Sequence, residues 1–140
     1  MNTRIEKVES FIVKGFEMKG DVSQIPALWD KLNGALCESG ASKSEESYGI
    51  TLAMENGNFH YIAGVRKEFA EGMVDSKEVV VPSGNFIVAK VDGGVDQIPA
   101  VFGALMQMPG INLRHSYGFE KYLHPEGSEG YETEVWVAIE

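Results

Sequence analysis

The sequence predicts an α+β fold: a pseudo-twofold duplication of a strand-helix-strand-strand module, in which a curved antiparallel sheet carries helices on its outer face and encloses a central ligand groove. Three observations support the duplication. The phrase GDVSQIPALW, which begins at Gly20, returns seventy-three positions later as GGVDQIPAVF, with six of ten positions identical. The tripeptide FIV precedes both copies, at Phe11 and Phe86. Two strand-like runs follow each copy. The chain is therefore expected to contain two versions of one layout.

A strand is expected before each helix. The segments FIVKGFEMKG, which starts at Phe11, and FIVAKVDG, which starts at Phe86, open with the same three strand-forming residues. We expect one domain over residues 1–140, with internal repeats over about 5–68 and 79–140. The connector EFAEGMVDSKEVVVPSG separates the two copies.

Each repeated phrase is typical of the start of a helix. Ser23 and Asp96 are suitable N-cap residues, and Pro26 and Pro99 fall in the first turn, where a missing backbone N–H has little effect. Apolar residues then recur at helical spacing and predict one buried stripe per helix. The stripes comprise Ile25, Leu28, Trp29, Leu32, Ala35 and Leu36 in the first copy, and Ile98, Val101, Phe102 and Leu105 in the second.

A hairpin is expected after each helix. The runs YGITLAME and FHYIAGVRK flank NGN, and Asn-Gly between two strand-like runs predicts a tight turn. The runs YGFEKYL and TEVWVAI flank the longer segment HPEGSEGYE. Each module thus reads as strand, helix, strand, strand.

Composition excludes several classes of function. The 140 residues have the size of one domain, and the net charge of −9 disfavours direct binding of nucleic acid or an anionic membrane, both of which need a basic surface. The first strand is expected to start by about Ile5, so no DNA-binding domain is expected within these 140 residues. Cys37 is the only cysteine, and no signal peptide or membrane span is apparent, so a cytoplasmic protein is expected.

No metal, cofactor or nucleophile motif is present in the sequence. His60, His115, His124 and Cys37 lack the spacing of metal ligands. The glycines form no phosphate-binding loop, and there is no G-x-S-x-G motif. We therefore expect neither a metal nor a cofactor.

The order of these features resembles the GyrI-like (gyrase-inhibitor-like) effector-binding domains found in AraC-type and MerR-type bacterial regulators and as free-standing proteins. The resemblance rests on the duplicated module, the segment VPSGNFIVAKVDG, the FEKY strand and the closing TEVWVAI strand. It implies a groove between the modules that receives a small, often lipophilic and cationic, molecule. It also implies that a buried glutamate, here Glu120, meets the positive charge and that an aromatic, here Trp136, lies beside it.

Strand alternation offers a separate prediction for these residues. If Phe119 and Val135 pack beneath the helices, then Glu120, Glu134 and Trp136 share the opposite face, together with small residues. That face would form the floor of a cavity. Gly118 and Tyr122 join Glu120 by the same alternation, while Ile50 and Leu52 of the first copy are expected beneath the helices.

Other interpretations of these residues remain open in the sequence. Glu120 beside Lys121 and Glu134 in its acidic run also suit solvent-facing positions, and a tryptophan within a strand, such as Trp136, is often core. For four further residues we expect packing in the core first, with a position in the groove as the alternative. These residues are Tyr48 and Tyr61, both expected on the helix-facing side, together with Phe16 and Met18. Trp29 is expected to be core.

Three functions are compatible with the sequence. The leading one is a binding protein that senses or sequesters a small organic ligand through Glu120. The second is a hydrolase of reactive electrophiles, in which Glu120, with its pKa raised by an apolar site, activates water. The third is an inhibitor that docks on a protein partner through its acidic surface; the sequence does not identify such a partner.

Overall fold

The computed structural model describes residues 3–39, 46–55, 58–70, 76–92, 97–114, 118–123 and 132–140. Within these residues the chain forms eight β-strands and two α-helices. The first half contains β1 (Thr3–Val8), β2 (Phe11–Asp21), α1 (Ile25–Ser39), β3 (Glu46–Glu55) and β4 (Asn58–Arg66). The second half contains β5 (Lys77–Val81), β6 (Gly84–Lys90), α2 (Ile98–Met106), β7 (Phe119–Leu123) and β8 (Glu132–Ile139).

The described strands form one antiparallel sheet in the order β1-β6-β8-β7-β3-β4-β2-β5. Each strand has its counterpart at the mirror position of this order, and β7 pairs with β3 at the centre. The two modules are therefore related by a pseudo-twofold axis at the β3–β7 junction. This arrangement confirms the predicted α+β class and the duplication.

Each edge strand pairs with a strand from the other half of the chain. β1 pairs with β6 of the second module, and β5 pairs with β2 of the first. Residues 77–81 were expected within the connector between the two copies, and that expectation was wrong. The run of β-branched residues in KEVVV is the local signal for this strand.

The sheet is strongly curled. The rings of Phe11 on β2 and Phe119 on β7 lie 6.0 Å apart, centroid to centroid, although two strands separate them in the sheet order. In a flat sheet, strands three places apart would lie about 14 Å from each other. The concave face therefore closes on itself and buries an aromatic cluster that also includes Tyr48, Phe86 and Trp136.

Both helices pack on the convex face. Leu32 of α1 and Leu105 of α2 are completely buried there, and burial of such a side chain contributes about 1.5–3 kcal/mol. α1 covers a cluster that includes Tyr61 and Ala63, and α2 covers one that includes Val135 and Val137. The apolar stripes predicted for the helices are confirmed for the side chains that the structure describes.

The start of α1 follows the prediction in one respect and corrects it in another. Pro26 and Pro99 are each the second residue of their helix, as expected. Ser23, however, lies inside a short 3-10 turn (Val22–Gln24) that precedes α1, and it is not the cap. The backbone N–H of Ser23 donates to the carboxylate of Asp21 at 3.0 Å, so Asp21 caps this turn. Asp96 lies outside the described residues.

Both predicted hairpins are present as antiparallel pairs. The β3–β4 ladder extends to Glu55 and Asn58, and the β7–β8 ladder extends to Leu123 and Glu132. The connections at residues 56–57 and 124–131 lie outside the described residues.

Candidate functional site

Glu120 lies at the junction of the two modules, on the convex face that carries the helices. Its cross-strand partner is Gly49 of β3. Its side chain is only 8% exposed. Carboxylate Oε1 accepts hydrogen bonds from the hydroxyls of Tyr61 at 2.7 Å and Tyr122 at 3.3 Å. The solvent-facing interpretation of Glu120 was therefore wrong.

The predicted grouping of Glu120 with Trp136 was also wrong. Phe119 pairs with Trp136 across β7 and β8, and their rings stack at 5.5 Å with an interplanar angle of 14°. Both rings belong to the concave cluster, while Val135 packs beneath α2. Phe119 was expected on the face of Val135, beneath the helices. The facing expected for β7 was therefore displaced by one residue, and such a displacement moves every side chain of a strand to the other face.

The same displacement affects β3. Tyr48, Ile50 and Leu52 belong to the concave cluster, so their predicted positions beneath the helices were wrong. The Tyr48 hydroxyl donates to Glu46 at 2.8 Å and accepts from Arg66 at 3.1 Å. Tyr61 was correctly expected on the helix-facing side.

Glu134 and Trp136 form a separate buried pair on the concave face. Trp136 Nε1 donates to Glu134 at 3.2 Å, and the other carboxylate oxygen of Glu134 lies 2.9 Å from the guanidinium of Arg4. Glu134 is only 9% exposed, so the interpretation that it faces solvent was wrong. The core interpretation of Trp136 was correct, since its side chain is 4% exposed within the aromatic cluster.

Helix α1 contributes Trp29 to the surroundings of Glu120. Trp29 Nε1 donates to the Tyr61 hydroxyl at 3.3 Å, and its ring meets the ring of Tyr122 edge-on at 4.9 Å. Trp29 and Tyr122 therefore cover the carboxylate from the helix side. The helical spacing had assigned Trp29 to the core. Tyr122 was placed on the face of Glu120 by alternation, and that i, i+2 relation was the available signal for its role.

Phe16 and Met18 lie on the same face along β2. Their cross-strand partners on β4 are Ala63 and Tyr61 respectively. Both side chains belong to the cluster beneath α1. The structure thus brings Phe16, Met18 and Tyr61 to the Glu120 side of the sheet.

Gly49 makes room for this arrangement. A Cβ atom at this position would overlap the Tyr61 hydroxyl and would stand 2.7 Å from Glu120 Oε1. Any side chain at Gly49 would therefore displace the Tyr61–Glu120 hydrogen bond. Strand alternation had placed Gly49 among the small residues expected on the face of Glu120, and its position opposite Glu120 confirms that expectation.

The electrostatics of the site are dominated by burial. Burial raises the pKa of Glu120 to about 7, while the hydrogen bonds from Tyr61 and Tyr122 act in the opposite direction. Burial, followed by the nearby Glu120 carboxylate, raises the pKa of Tyr61 well above its ordinary value. No basic side chain among the described residues pairs with Glu120. The site is thus a desolvated acid enclosed by three aromatic residues.

The described part of the chain contains no group of three or more His, Cys, Asp or Glu side chains positioned to hold a metal ion. His60 contacts Glu17 at 2.8 Å. His115 and His124 lie outside the described residues. No described helix combines the length and apolar character needed to traverse a bilayer.

Comparison with known proteins identifies relatives over the whole chain. The sequence model of the family described as GyrI-like small molecule binding domain matches residues 1–140. The transcriptional regulator BrlR of Pseudomonas aeruginosa is 31% identical over 133 residues, which cover 87% of this chain and 48% of BrlR. The chain therefore spans about half the length of this relative.

Two solved structures share the fold. The structure of SAV2435 bound to tetraphenylphosphonium has a TM-score of 0.75 and 16% identity, and the match covers 100% of this chain and 94% of that one. The C-terminal domain of EcmrR has a TM-score of 0.73 and 16% identity, covering 99% of this chain and 97% of that one.

Proposed function

The chain belongs to the GyrI-like small molecule binding domain family, and we propose that its ligand is a small lipophilic cation anchored by Glu120. The observation that carries this proposal is the buried carboxyl group of Glu120, which accepts hydrogen bonds from Tyr61 and Tyr122, lies near Trp29 and has no basic partner among the described residues. The related SAV2435 has been solved with a cation of this kind, tetraphenylphosphonium.

The chemistry of the site favours a cation over a neutral ligand. Without a counter-charge, burial raises the pKa of the Glu120 carboxyl group to about 7, so the group keeps its proton below that pH. A cation beside it compensates the ionised form, and contact with an aromatic ring adds about 0.5–2 kcal/mol. Binding would therefore release a proton near neutral pH.

Access to Glu120 requires a local movement. Trp29 and Tyr122 cover the carboxyl group, and both side chains are themselves only partly buried. We propose that the ligand separates this pair and takes its place against the Tyr61 side of the pocket. Phe16 and Met18 on β2 would then form the neighbouring wall.

Three residues predicted for the site receive no ligand role in this proposal. Tyr48, Glu134 and Trp136 lie on the concave face, among the packed aromatic side chains of the interior. A ligand on Glu120 would be separated from them by the sheet itself.

The test is a titration with tetraphenylphosphonium, followed by calorimetry at pH 8. We expect Glu120→Gln to weaken binding by about a hundredfold, because a phosphonium centre about 6 Å from the carboxylate gains about 3 kcal/mol of Coulomb energy at an effective dielectric constant of about 20. Triphenylphosphine oxide, a neutral compound of similar size, should bind wild type and variant alike. Glu134→Gln is the matched control, since it removes a buried carboxylate from the opposite face.

The outcomes distinguish the two faces of the sheet. Loss of binding in Glu134→Gln with retention in Glu120→Gln would move the site to the concave face and refute the proposal. Equal affinity of the wild type and both variants for the cation would exclude Glu120 and Glu134 as its anchor and would also refute the proposal.

A second function, hydrolysis of a reactive electrophile, is favoured by one observation. A carboxyl group with a pKa of about 7 is suited to general-base catalysis at neutral pH, and two tyrosine hydroxyls stand beside it. Incubation with an epoxide, with product analysis by chromatography, tests this function. Consumption that stops in Glu120→Gln would support an enzyme, and no consumption by the wild type would exclude this chemistry for the epoxide used.

We further propose that the protein acts in the cytoplasm without contacting nucleic acid or a membrane directly. The net charge of −9 supports this proposal because polyanions need a basic surface. An electrophoretic mobility assay with duplex DNA and flotation with anionic vesicles should both show no association.

A further inference from the structure

The pseudo-twofold axis carries the Glu120 site onto a second region of the sheet. The tripeptides YGI and YGF, on β3 and at the start of β7, align Ile50 with Phe119 in the two copies. These two residues are also cross-strand partners, so the axis passes through their pair. Rotation about this axis maps Glu120 onto Thr51 and the glycine opposite Glu120 onto Gly118. This second region is the Thr51 subsite.

Thr51 lies on the same face of the sheet as Glu120. Its cross-strand partner on β4 is Tyr61, just as Val135 on β8 is the partner of Glu120. Tyr61 and Val135 both pack beneath the helices, and cross-strand partners project to the same face. Thr51 and Glu120 are diagonal neighbours on adjacent strands, which places them about 7–8 Å apart. One small organic molecule can therefore reach both.

The polar side chains of the Glu120 site are replaced in the Thr51 subsite by uncharged ones. Trp29 ends the phrase GDVSQIPALW, and Phe102 ends the repeated phrase GGVDQIPAVF. At the first site an indole N–H donates to a phenol, which donates to a carboxylate. At the second, a phenyl ring, an isopropyl group and a threonine side chain stand in the equivalent positions. The replacements are Phe102 for Trp29, Val135 for Tyr61 and Thr51 for Glu120.

Phe102 covers the Thr51 subsite from helix α2. A Cβ atom on Gly118 would stand 3.1 Å from Phe102 Cε1, so the ring rests on the backbone at the start of β7. The side chains of Phe102 and Thr51 are only partly buried. The subsite therefore offers an accessible surface made of a phenyl ring, backbone and a threonine side chain.

The two regions have opposite preferences for charge. A positive group beside Glu120 finds a counter-charge, whereas a positive group beside Thr51 would lose water without meeting a carboxylate of the subsite. Contact with the single ring of Phe102 offsets only part of that loss. An apolar group beside Thr51 carries no such cost, and its burial against Phe102 is favourable.

We propose that the Thr51 subsite takes the apolar end of a ligand that carries a single positive charge at Glu120. Phe102 favours an apolar extension, and the absence of an acid at Thr51 limits the ligand to one charge. This inference rests on the cation site proposed at Glu120. A para-substituted benzene ring has the length needed to join two groups that lie about 7–8 Å apart.

The experiment compares three quaternary ammonium compounds by calorimetry at pH 8 and constant ionic strength. Benzyltrimethylammonium has the charge without the extension. The para-neopentylbenzyl analogue adds an apolar extension. The dication para-xylylene-bis(trimethylammonium) has the same shape as that analogue, because a quaternary nitrogen takes the place of one carbon. We expect the neopentyl compound to bind the wild type about tenfold more tightly than either of the other two.

Two variants test the residues of the subsite separately. Phe102→Ala should weaken binding of the neopentyl compound about tenfold and leave benzyltrimethylammonium within about twofold. Thr51→Glu places a carboxylate at the position equivalent to Glu120, so it should strengthen binding of the dication about tenfold and reverse the preference. The matched control is Phe69→Ala, which removes a partly buried ring from the cluster beneath α1, outside both regions. It should leave all three affinities unchanged.

Three results would overturn the proposal. The first is equal affinity of the wild type for the neopentyl compound and benzyltrimethylammonium. The second is a dication that binds the wild type more tightly than the neopentyl compound. Both comparisons use the wild type and stay decisive if Thr51→Glu does not fold. The third is an effect of Phe69→Ala as large as that of Phe102→Ala.

Glu120→Gln separates this inference from the proposed function. If it leaves the affinity for benzyltrimethylammonium unchanged, the cation site itself is refuted. If it weakens binding of that compound while Phe102→Ala leaves the neopentyl compound unaffected, the cation site stands and only the Thr51 subsite is refuted. Weaker binding in both variants, each with its own compound, would support the two regions together.

Discussion

Replacement of Glu120 by glutamine should make the protein more stable, and the gain should depend on pH. The carboxyl group is 8% exposed and is hydrogen-bonded to Tyr61 and Tyr122, and its pKa is about 7 in the folded chain. The ordinary value is 4.5. This difference corresponds to about 3 kcal/mol of free energy between the protonated and ionised forms.

The sign follows from where the proton is held. Between pH 4.5 and pH 7 the folded chain keeps the proton of Glu120, while the unfolded chain releases it. The free energy of unfolding of the wild type therefore falls as pH rises through this window, and the loss is complete above pH 7. Glutamine has no proton to release. The variant does not undergo this loss. The difference in the free energy of unfolding between the two proteins therefore reports the titration of Glu120 and not that of other groups.

The assay is urea unfolding of wild type and Glu120→Gln at several values between pH 4.5 and pH 8. From the lowest to the highest pH, the variant should gain about 3 kcal/mol relative to the wild type, which corresponds to about 10 °C in melting temperature. The exposed Glu132→Gln is the control and should stay within about 0.5 kcal/mol throughout. A wild-type-to-variant difference that is the same at pH 5 and pH 8 would refute the reasoning.

Three further predictions concern the same site. Tetraphenylphosphonium should bind roughly a hundredfold more weakly at pH 5 than at pH 8, because only about 1% of Glu120 is then ionised; calorimetry of Glu120→Gln should show no such dependence. Gly49→Ala should lower the free energy of unfolding by about 1–3 kcal/mol, because its Cβ displaces the Tyr61 hydroxyl; urea unfolding within error of wild type would contradict this. Ligand binding should change the fluorescence of Trp29, and the change should survive Trp136→Phe; its loss in that variant would place the ligand on the concave face.

Much of the fold is encoded locally. The repeated phrase around Ile25 and Ile98 starts both helices, and the Asn-Gly dipeptide between two strand-like runs predicts the first hairpin. These signals depend on residues close together in the chain, so the sequence displays them directly. The strand β5 was missed because its run of valines, although favourable for a strand, shows no alternation that would predict pairing with the distant β2.

The site was only partly predictable. Glu120 was singled out correctly as a candidate for burial, and Tyr61, Phe16 and Met18 lie on its face of the sheet. Trp29 was assigned to the core because helical spacing reports only that a residue faces the sheet. Its hydrogen bond to Tyr61 depends on how α1 sits over the junction of the modules.

The sequence by itself determined the duplication, the helix positions, the hairpins and the identity of the acidic candidate, Glu120. Only the tertiary structure decided which face of the sheet each strand residue occupies. Alternation within a strand fixes relative facing, but the pairing of Phe119 with Trp136 sets the absolute facing of β7 against β8. That register arises from contacts between distant segments. It separates Glu120 from Trp136 and places the acid between the two modules, beneath Trp29 and Tyr122.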